Sequence, residues 1–380
     1  MRKRFLTTSS ATFARSWFAA MELLVIVGFS ASCKYPSHCE GVFCSIWPAA
    51  LVFARPRTLP DTGQTTCATT AGAVISCAGT GQDAEYATPG AYILYETTLG
   101  NAVGEVLGSD LLWQKCSFGQ TGNSCAGTAL STVTRTQAFA ACSGVAIADR
   151  VWRLPSVREM HLLPYFGGAT VAMPSSFFPN TASGTNVYHW TSTTVVASPA
   201  NSYLFAQKFG FFASQSNALA TDTFARCVAG PAQPTQDYVR LGVTEPSVRD
   251  NTTGLTWTVC ALKTGGAADT SANCAGPAPA NFTQTNALTF CESLVYGGFT
   301  DWRLPNVREL ASLMDYTQSV NPTVNQTYFT ANPSATVYWS STNDISNAAN
   351  AYIFDVSDGT SGTIARTASI GDVRCVRGPW

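Results

Sequence analysis

Charge is what this chain has least of. Asp, Glu, Lys and Arg make up 12% of its 380 residues, about half the roughly 25% usual in soluble domains. Twenty-two basic and 23 acidic residues leave a formal net charge of -1, so no basic field steers the chain to nucleic acid or to anionic lipid. Histidine is scarcer still, with His38, His161 and His189 scattered, and no C-x-x-C pair occurs. Zinc ligation wants clustered Cys and His, so no metal site and no cofactor is expected.

Cysteine, by contrast, is abundant. Thirteen cysteines without zinc spacing point to disulfides, and therefore to an oxidising compartment. The start of the chain agrees. Arg2, Lys3 and Arg4 precede the apolar stretch Leu23 to Phe29, and Ser30, Ala31 and Ser32 lead into Cys33. That is the pattern of an export leader over residues 1–33, its core too short for a comfortable membrane span. Cys33 is a candidate for lipid attachment, hence for anchoring to a membrane. The expected location is secreted or cell-surface, including a periplasmic or outer-membrane lipoprotein.

The architecture follows from a repeat. Residues 151–160 read V-W-R-L-P-S-V-R-E-M and residues 301–310 read D-W-R-L-P-N-V-R-E-L, an offset of 150. Around this anchor the landmarks recur in order. Trp113 stands three before Cys116, and Trp257 three before Cys260; Cys125 and Cys142 are 17 apart, as are Cys274 and Cys291. Such agreement marks a duplication. We divide the chain into a cysteine-containing segment (34–100), a first domain (101–230) and a second (231–380), joined by the stiff linker Gly230 to Pro234. Four cysteines per copy allow three connectivities. We expect the near pairs, Cys116–Cys125 and Cys260–Cys274, to close loops. Cys142–Cys227 and Cys291–Cys375 would then tie an early helix to the last strand. Cys67–Cys77 and Cys39–Cys44 would close the leading segment, with the first of these forming a hairpin that runs into the first domain.

The repeated motif carries its own mechanics. Ser156 and Asn306 are helix N-caps with Glu159 and Glu309 three residues on, the spacing of a capping box. Val157, Met160 and Leu163, or Val307, Leu310 and Leu313, then face a core. Arg153, Arg158, Arg303 and Arg308 are read as internal braces to carboxylates or carbonyls. A short helix precedes this one in each copy, and three strand-like segments follow it. The fold class is α+β, with two short helices and a small antiparallel sheet in each disulfide-stapled copy. Trp190 and Trp339 are expected in the core.

The D-W-R-L-P-x-V-R-E-L, Y-W-S-S-T and V-R-C-V-R strings, with Asp250 to Trp257 and Asp61 to Gln64, resemble the Lcl C-terminal domain family, named for a bacterial collagen-like adhesin. The resemblance spans roughly residues 59–380. It implies tandem C-type-lectin-like domains, a fold shared with formylglycine-generating enzymes, and in the namesake adhesion to sulfated glycans and host matrix. There is no Gly-X-Y stalk, and the calcium–sugar signature of true C-type lectins is absent. In lectin-like folds the ligand face is built from loops around the last strands. Here those hold Asn343, Asp344, Asn347, Asn350, Tyr352, Asp358 and Arg366 in copy two, and Tyr203, Lys208, Gln215, Asn217 and Asp222 in copy one. The expected function is surface binding or adhesion through an extracellular glycan or protein ligand. Each repeat cysteine has a counterpart in the other copy and no Ser/His/Asp order repeats, so no catalytic residue and no enzyme activity is expected. The alternatives are a formylglycine-generating-type oxidase, which needs free thiols, and a structural envelope or pilus component.

Overall fold

Two copies of one α+β unit are laid out by the same local chemistry. The computed structural model describes residues 59–87, 92–94, 102–106, 110–128, 131–147, 149–167, 173–182, 187–206, 211–216, 223–242, 245–261, 274, 281–318, 323–329, 337–344 and 346–378. The leader, Cys33 and the Cys39–Cys44 pairing lie outside them, as do Lys208, Asn217 and Asp222. The leading segment forms a hairpin, β1 (Cys67–Ala68) and β2 (Val74–Ile75), followed by a 3-10 turn at Asp83–Tyr86.

Copy one contributes β3 (Tyr92–Leu94), β4 (Ala102–Val106), β5 (Leu112–Gln114), α1 (Arg135–Ser143), β6 (Trp152–Arg153) and α2 (Val157–Met160). It continues with β7 (Tyr188–Thr194), β8 (Asn201–Ala206), β9 (Phe211–Ser216), β10 (Thr223–Phe224) and β11 (Val228–Ala229). Copy two repeats this with β12 (Tyr238–Leu241), β13 (Ser247–Asp250), β14 (Thr256–Thr258), α3 (Gln284–Glu292) and α4 (Val307–Leu313). It ends with β15 (Val337–Asn343), β16 (Asn350–Asp355), β17 (Thr360–Ala365) and β18 (Val376–Arg377).

Each copy has two sheets rather than one. One joins the strands that precede the helices to the last strand, in the orders β3-β4-β5-β11-β6 and β12-β13-β14-β18. The other is the meander β7-β8-β9 or β15-β16-β17. The sheets are not wholly antiparallel, because β10 pairs parallel with β7, and Tyr338 bridges Asp372 in parallel. The returning chain runs alongside the first meander strand on its way to the other sheet, which sets that direction.

The W-R-L-P motif explains the joint between the sheets. Arg153 on β6 grips Glu159 with both guanidinium arms, at 2.7 and 2.5 Å, while the same carboxylate accepts the Ser156 backbone N–H at 2.8 Å. Arg303 and Glu309 repeat this at 2.7 and 2.6 Å, with Asn306 N–H at 2.8 Å. One carboxylate thus caps a helix and pins it to a strand. Trp190 Nε1 and Trp339 Nε1 each donate to a backbone carbonyl, of Val133 and Phe282, at 2.7 Å. Both indoles are buried in the cores of their copies.

Five disulfides staple this frame: Cys67–Cys77, Cys116–Cys125, Cys142–Cys227, Cys260–Cys274 and Cys291–Cys375. The last of each set closes a long loop, with separations of 85 and 84 residues. In the chain-entropy account such a loop is worth roughly 4–5 kcal/mol. Replacing Cys291 and Cys375 together by Ser should therefore lower the urea midpoint by an amount of that order. An unchanged midpoint would show that α3 and the segment before β18 are held by packing alone.

Candidate functional site

The two copies meet along a seam that both helices of the W-R-L-P motif line. Arg158 on α2 donates to the carbonyls of Ser312 and Met314, just past the capped turns of α4. Arg308 on α4 donates to the carbonyl of Pro164 in copy one. The offset is the same in both directions, since 158 + 150 = 308 and 164 + 150 = 314. Aromatic packing obeys the same exchange. Tyr203 meets Tyr316 edge-on at 4.9 Å, and its counterpart Tyr352 meets Phe166 edge-on at 5.0 Å. Arg158 lies 6.0 Å from the Tyr316 ring and Arg308 6.0 Å from that of Phe166. A quasi-two-fold axis therefore relates the copies, as in an isologous dimer interface.

This seam is core rather than a loose contact. One hydrophobic cluster takes Val157, Met160, Phe166 and Phe205 from copy one and Val307, Leu310, Tyr352 and Phe354 from copy two. The chain just past the expected linker joins in: Gln236 donates to the carbonyls of Ser312 and Met314 at 2.8 and 3.0 Å. So the chain from Pro56 onward is one compact unit, not two beads on a tether.

A cleft of about 60 Å³ opens on the seam, lined by Arg158, Arg308, His161, Asp250 and Leu59 among others. Burial, with Arg158 and Arg308 nearby, holds the His161 imidazole well below its usual pKa and so neutral. His161 Nε2 is 3.1 Å from the Tyr316 hydroxyl, and the Ser312 hydroxyl donates to Glu309 O at 2.7 Å. The hydroxyl nearest the imidazole is thus a phenol, and the serine is turned to backbone. Among the described residues no group of His, Cys, Asp and Glu has the arrangement to hold a metal ion.

The leading segment lies across copy two, whereas the sequence suggested that it runs into copy one. Gln64 makes a two-way clamp with the Asn343 backbone, donating to its carbonyl at 2.8 Å and accepting its N–H at 3.0 Å. The Asn343 side chain donates to Gln82. Asp83 Oδ2 accepts the hydroxyls of Thr62 and Thr342, each at 2.7 Å. Arg308 reaches the carbonyls of Pro60 and Asp61, and Arg366 those of Ala68 and Thr69. Gly63 makes the entry, with φ +80° and its Cα so close to the Tyr165 ring that a Cβ would overlap it. Residues 59–87 act as a strap.

That strap changes the standing of the loop residues singled out from sequence. Asn343, Tyr352 and Arg366 are buried in copy two, 3%, 0% and 2% exposed, and Asp344 is buried beside them. Arg366 is occupied by Gln284 at 2.5 Å and by backbone carbonyls. Tyr203 is also buried, its hydroxyl donating to Asp358 O across the seam. These five side chains serve the interior, because strap and seam occupy the surfaces where a ligand was expected. Asn347 and Asp358 are exposed and Asn350 half-buried, but Asn347 and Asp358 close local turns onto Ala349 N and Thr360 N. Gln215 lies in β9. The structure does not gather these residues into one site.

Sequence reasoning did not single out a half-exposed face in copy one, formed by Arg135 and Phe139 on α1 with Ser192, Thr193 and Thr194 at the end of β7. Its signal was there in the alignment of the copies, where Arg135 stands opposite Gln284 and Phe139 opposite Leu288, each 149 residues on.

Geometry therefore defines a duplicated, disulfide-stapled α+β protein whose copies dock about a quasi-two-fold axis. The chain belongs to the Lcl C-terminal domain family, whose model matches residues 107–229 and again 246–377. No curated protein and no solved structure matches it. No helix among the described residues is long and apolar enough to cross a membrane.

Two measurements test these contacts. Arg308→Ala strips three carbonyls of a buried cationic donor and should cost about 2–3 kcal/mol by urea denaturation, with Arg158→Ala, which is less buried, costing about 1–2. Equal wild-type midpoints for both would mean that the reciprocal contacts contribute nothing. The second concerns Asp83, whose carboxyl is pushed by burial from 3.8 up to about 6. A raised folded pKa means that its contribution to stability is full below about pH 4 and declines as pH rises through 6. Between pH 4 and pH 7 the melting temperature of wild type should fall relative to that of Asp83→Asn. A gap that stays constant or moves the other way would contradict the buried strap carboxylate.

Proposed function

We propose that this chain is an exported, cell-surface binding protein of C-type-lectin-like fold that engages an extracellular ligand. The observation that carries the reading is the pairing of a capped copy with an open one. Copy two is closed by the chain's own strap, so it acts as scaffold, while copy one presents the matching face without one among the described residues. The five disulfides among the described residues and membership of the Lcl C-terminal domain family favour recognition over chemistry. Disulfide density supports a working compartment outside the reducing cytoplasm. The oxidase alternative requires reactive thiols, and each of the ten described cysteines is bonded to another.

The test is direct. The full chain, purified oxidised, is applied to arrays of glycans and of extracellular matrix and cell-surface proteins. Saturable capture by one class of ligand, lost on disulfide reduction, is the expected result. No capture on either array, with turnover found in a thiol-oxidase assay, would replace the binding reading by the enzymatic one.

A further inference from the structure

The face that the strap covers on copy two has an uncovered twin on copy one. The last three residues of β15, Ser341 to Asn343, are buried, whereas the matching residues of β7, Ser192 to Thr194, are half-exposed. On the helix alongside, Leu288 lies beneath Gly81 and is 3% exposed, while Phe139 at the matching position is 41% exposed. The contacts beneath the strap are kept in kind. Gln284 donates to Ser340 O at 2.9 Å and to Asn343 Oδ1 at 3.4 Å. Arg135 donates to Thr191 O at 3.5 Å, Ser192 O at 2.6 Å and Thr194 Oγ1 at 2.9 Å.

Two differences define what the open face lacks. Thr342 Oγ1 accepts the Val307 N–H and passes its own proton to Asp83; Thr193 Oγ1 accepts the Val157 N–H at 3.0 Å, and its proton has no acceptor among the described residues. The Arg135 guanidinium, 5.0 Å over the Phe139 ring, is held by carbonyls and a hydroxyl and meets no carboxylate among the described residues. A cation, an unfilled hydroxyl donor and an exposed aromatic ring therefore stand together where copy two receives a peptide through an aspartate.

We propose that this face of copy one docks an extended, acidic peptide segment of a partner protein, with a carboxylate set between Thr193 and Arg135 as Asp83 is set at Thr342. The proposal rests on the binding reading above and names its ligand class. Copy two supplies the precedent for backbone and polar contacts. Substituting Arg135 for Gln284 adds the charge that a carboxylate arriving from water requires. Phe139 supplies an apolar contact of the kind Leu288 makes under the strap. A segment whose affinity leans on one exposed cation should bind more weakly as salt rises.

The probe is a fluorescein-labelled synthetic peptide of residues 62–86 with its Cys67–Cys77 bridge closed, titrated into the full oxidised chain and read by anisotropy. Saturable binding is expected, weakened at least tenfold by Arg135→Glu in the protein or Asp83→Asn in the peptide. Phe139→Ala, which removes the ring beneath the Arg135 guanidinium, should weaken it several-fold. No binding, or equal binding by wild type, Arg135→Glu and Phe139→Ala, would overturn the site. An array ligand captured equally by wild type and Arg135→Glu would also overturn it, while leaving the broader binding reading intact.

Discussion

Everything in this protein leans on the seam between its copies, where the arginine of each motif helix is satisfied by carbonyls of the other copy. A buried guanidinium without a carboxylate must find backbone oxygens in the right places. Arg158 finds Ser312 O and Met314 O, and Arg308 finds Pro164 O. Because the same residues solve the problem in both directions, the solution is a two-fold one. The aromatic pairs Tyr203–Tyr316 and Tyr352–Phe166 then pack edge-on without either copy having to deform. An isologous interface inside one chain consumes the surface that would otherwise make a dimer.

Symmetry of this kind offers the strap two matching faces, of which it can cover one. Arg308 can reach Pro60 O and Asp61 O as well as Pro164 O, so the strap enters where the axis passes and must fall to one side. It falls on copy two, where Thr342 and Asn343 offer donors and acceptors to Gln64, Gln82 and Asp83, and Gln284 holds Asn343 from beneath. Copy one carries Arg135, Thr193 and Thr194 at those positions. Thr193 matches Thr342, while Arg135 and Thr194 replace Gln284 and Asn343.

The frame was legible in the sequence because its determinants are local or repeated. Capping boxes at Ser156 and Asn306 span four residues, and the duplication doubled the cysteine landmarks of the repeat. Two things escaped, for different physical reasons. The strap's partners lie hundreds of residues away, and Asp61 to Gln64 carries no sign of which copy it will cross. The loop residues Asn343, Tyr352 and Arg366 looked like a polar recognition surface, since composition cannot distinguish an Asn that meets solvent from one that meets Gln82. The linker misled similarly. Gly230 to Pro234 has a spacer's composition, yet Gln233 and Pro234 line the cleft on the seam.

The copies also diverge at a matched position in the buried interior. In copy two Arg374 lies 5.5 Å over the Tyr338 ring and donates to its hydroxyl at 3.2 Å. In copy one the tyrosine is His189, buried with neither ring nitrogen partnered, and burial with Arg226 nearby pushes its pKa down to about 3. Arg226 turns to the hydroxyls of Ser117 and Thr181 at 3.0 and 2.9 Å. Copy one thus gives up a satisfied polar contact that copy two keeps, at some cost in local stability. What separates the copies at this position is this one ring–hydroxyl contact, since copy two also keeps unpartnered buried atoms, Trp257 Nε1 and Asp372 Oδ2 among them.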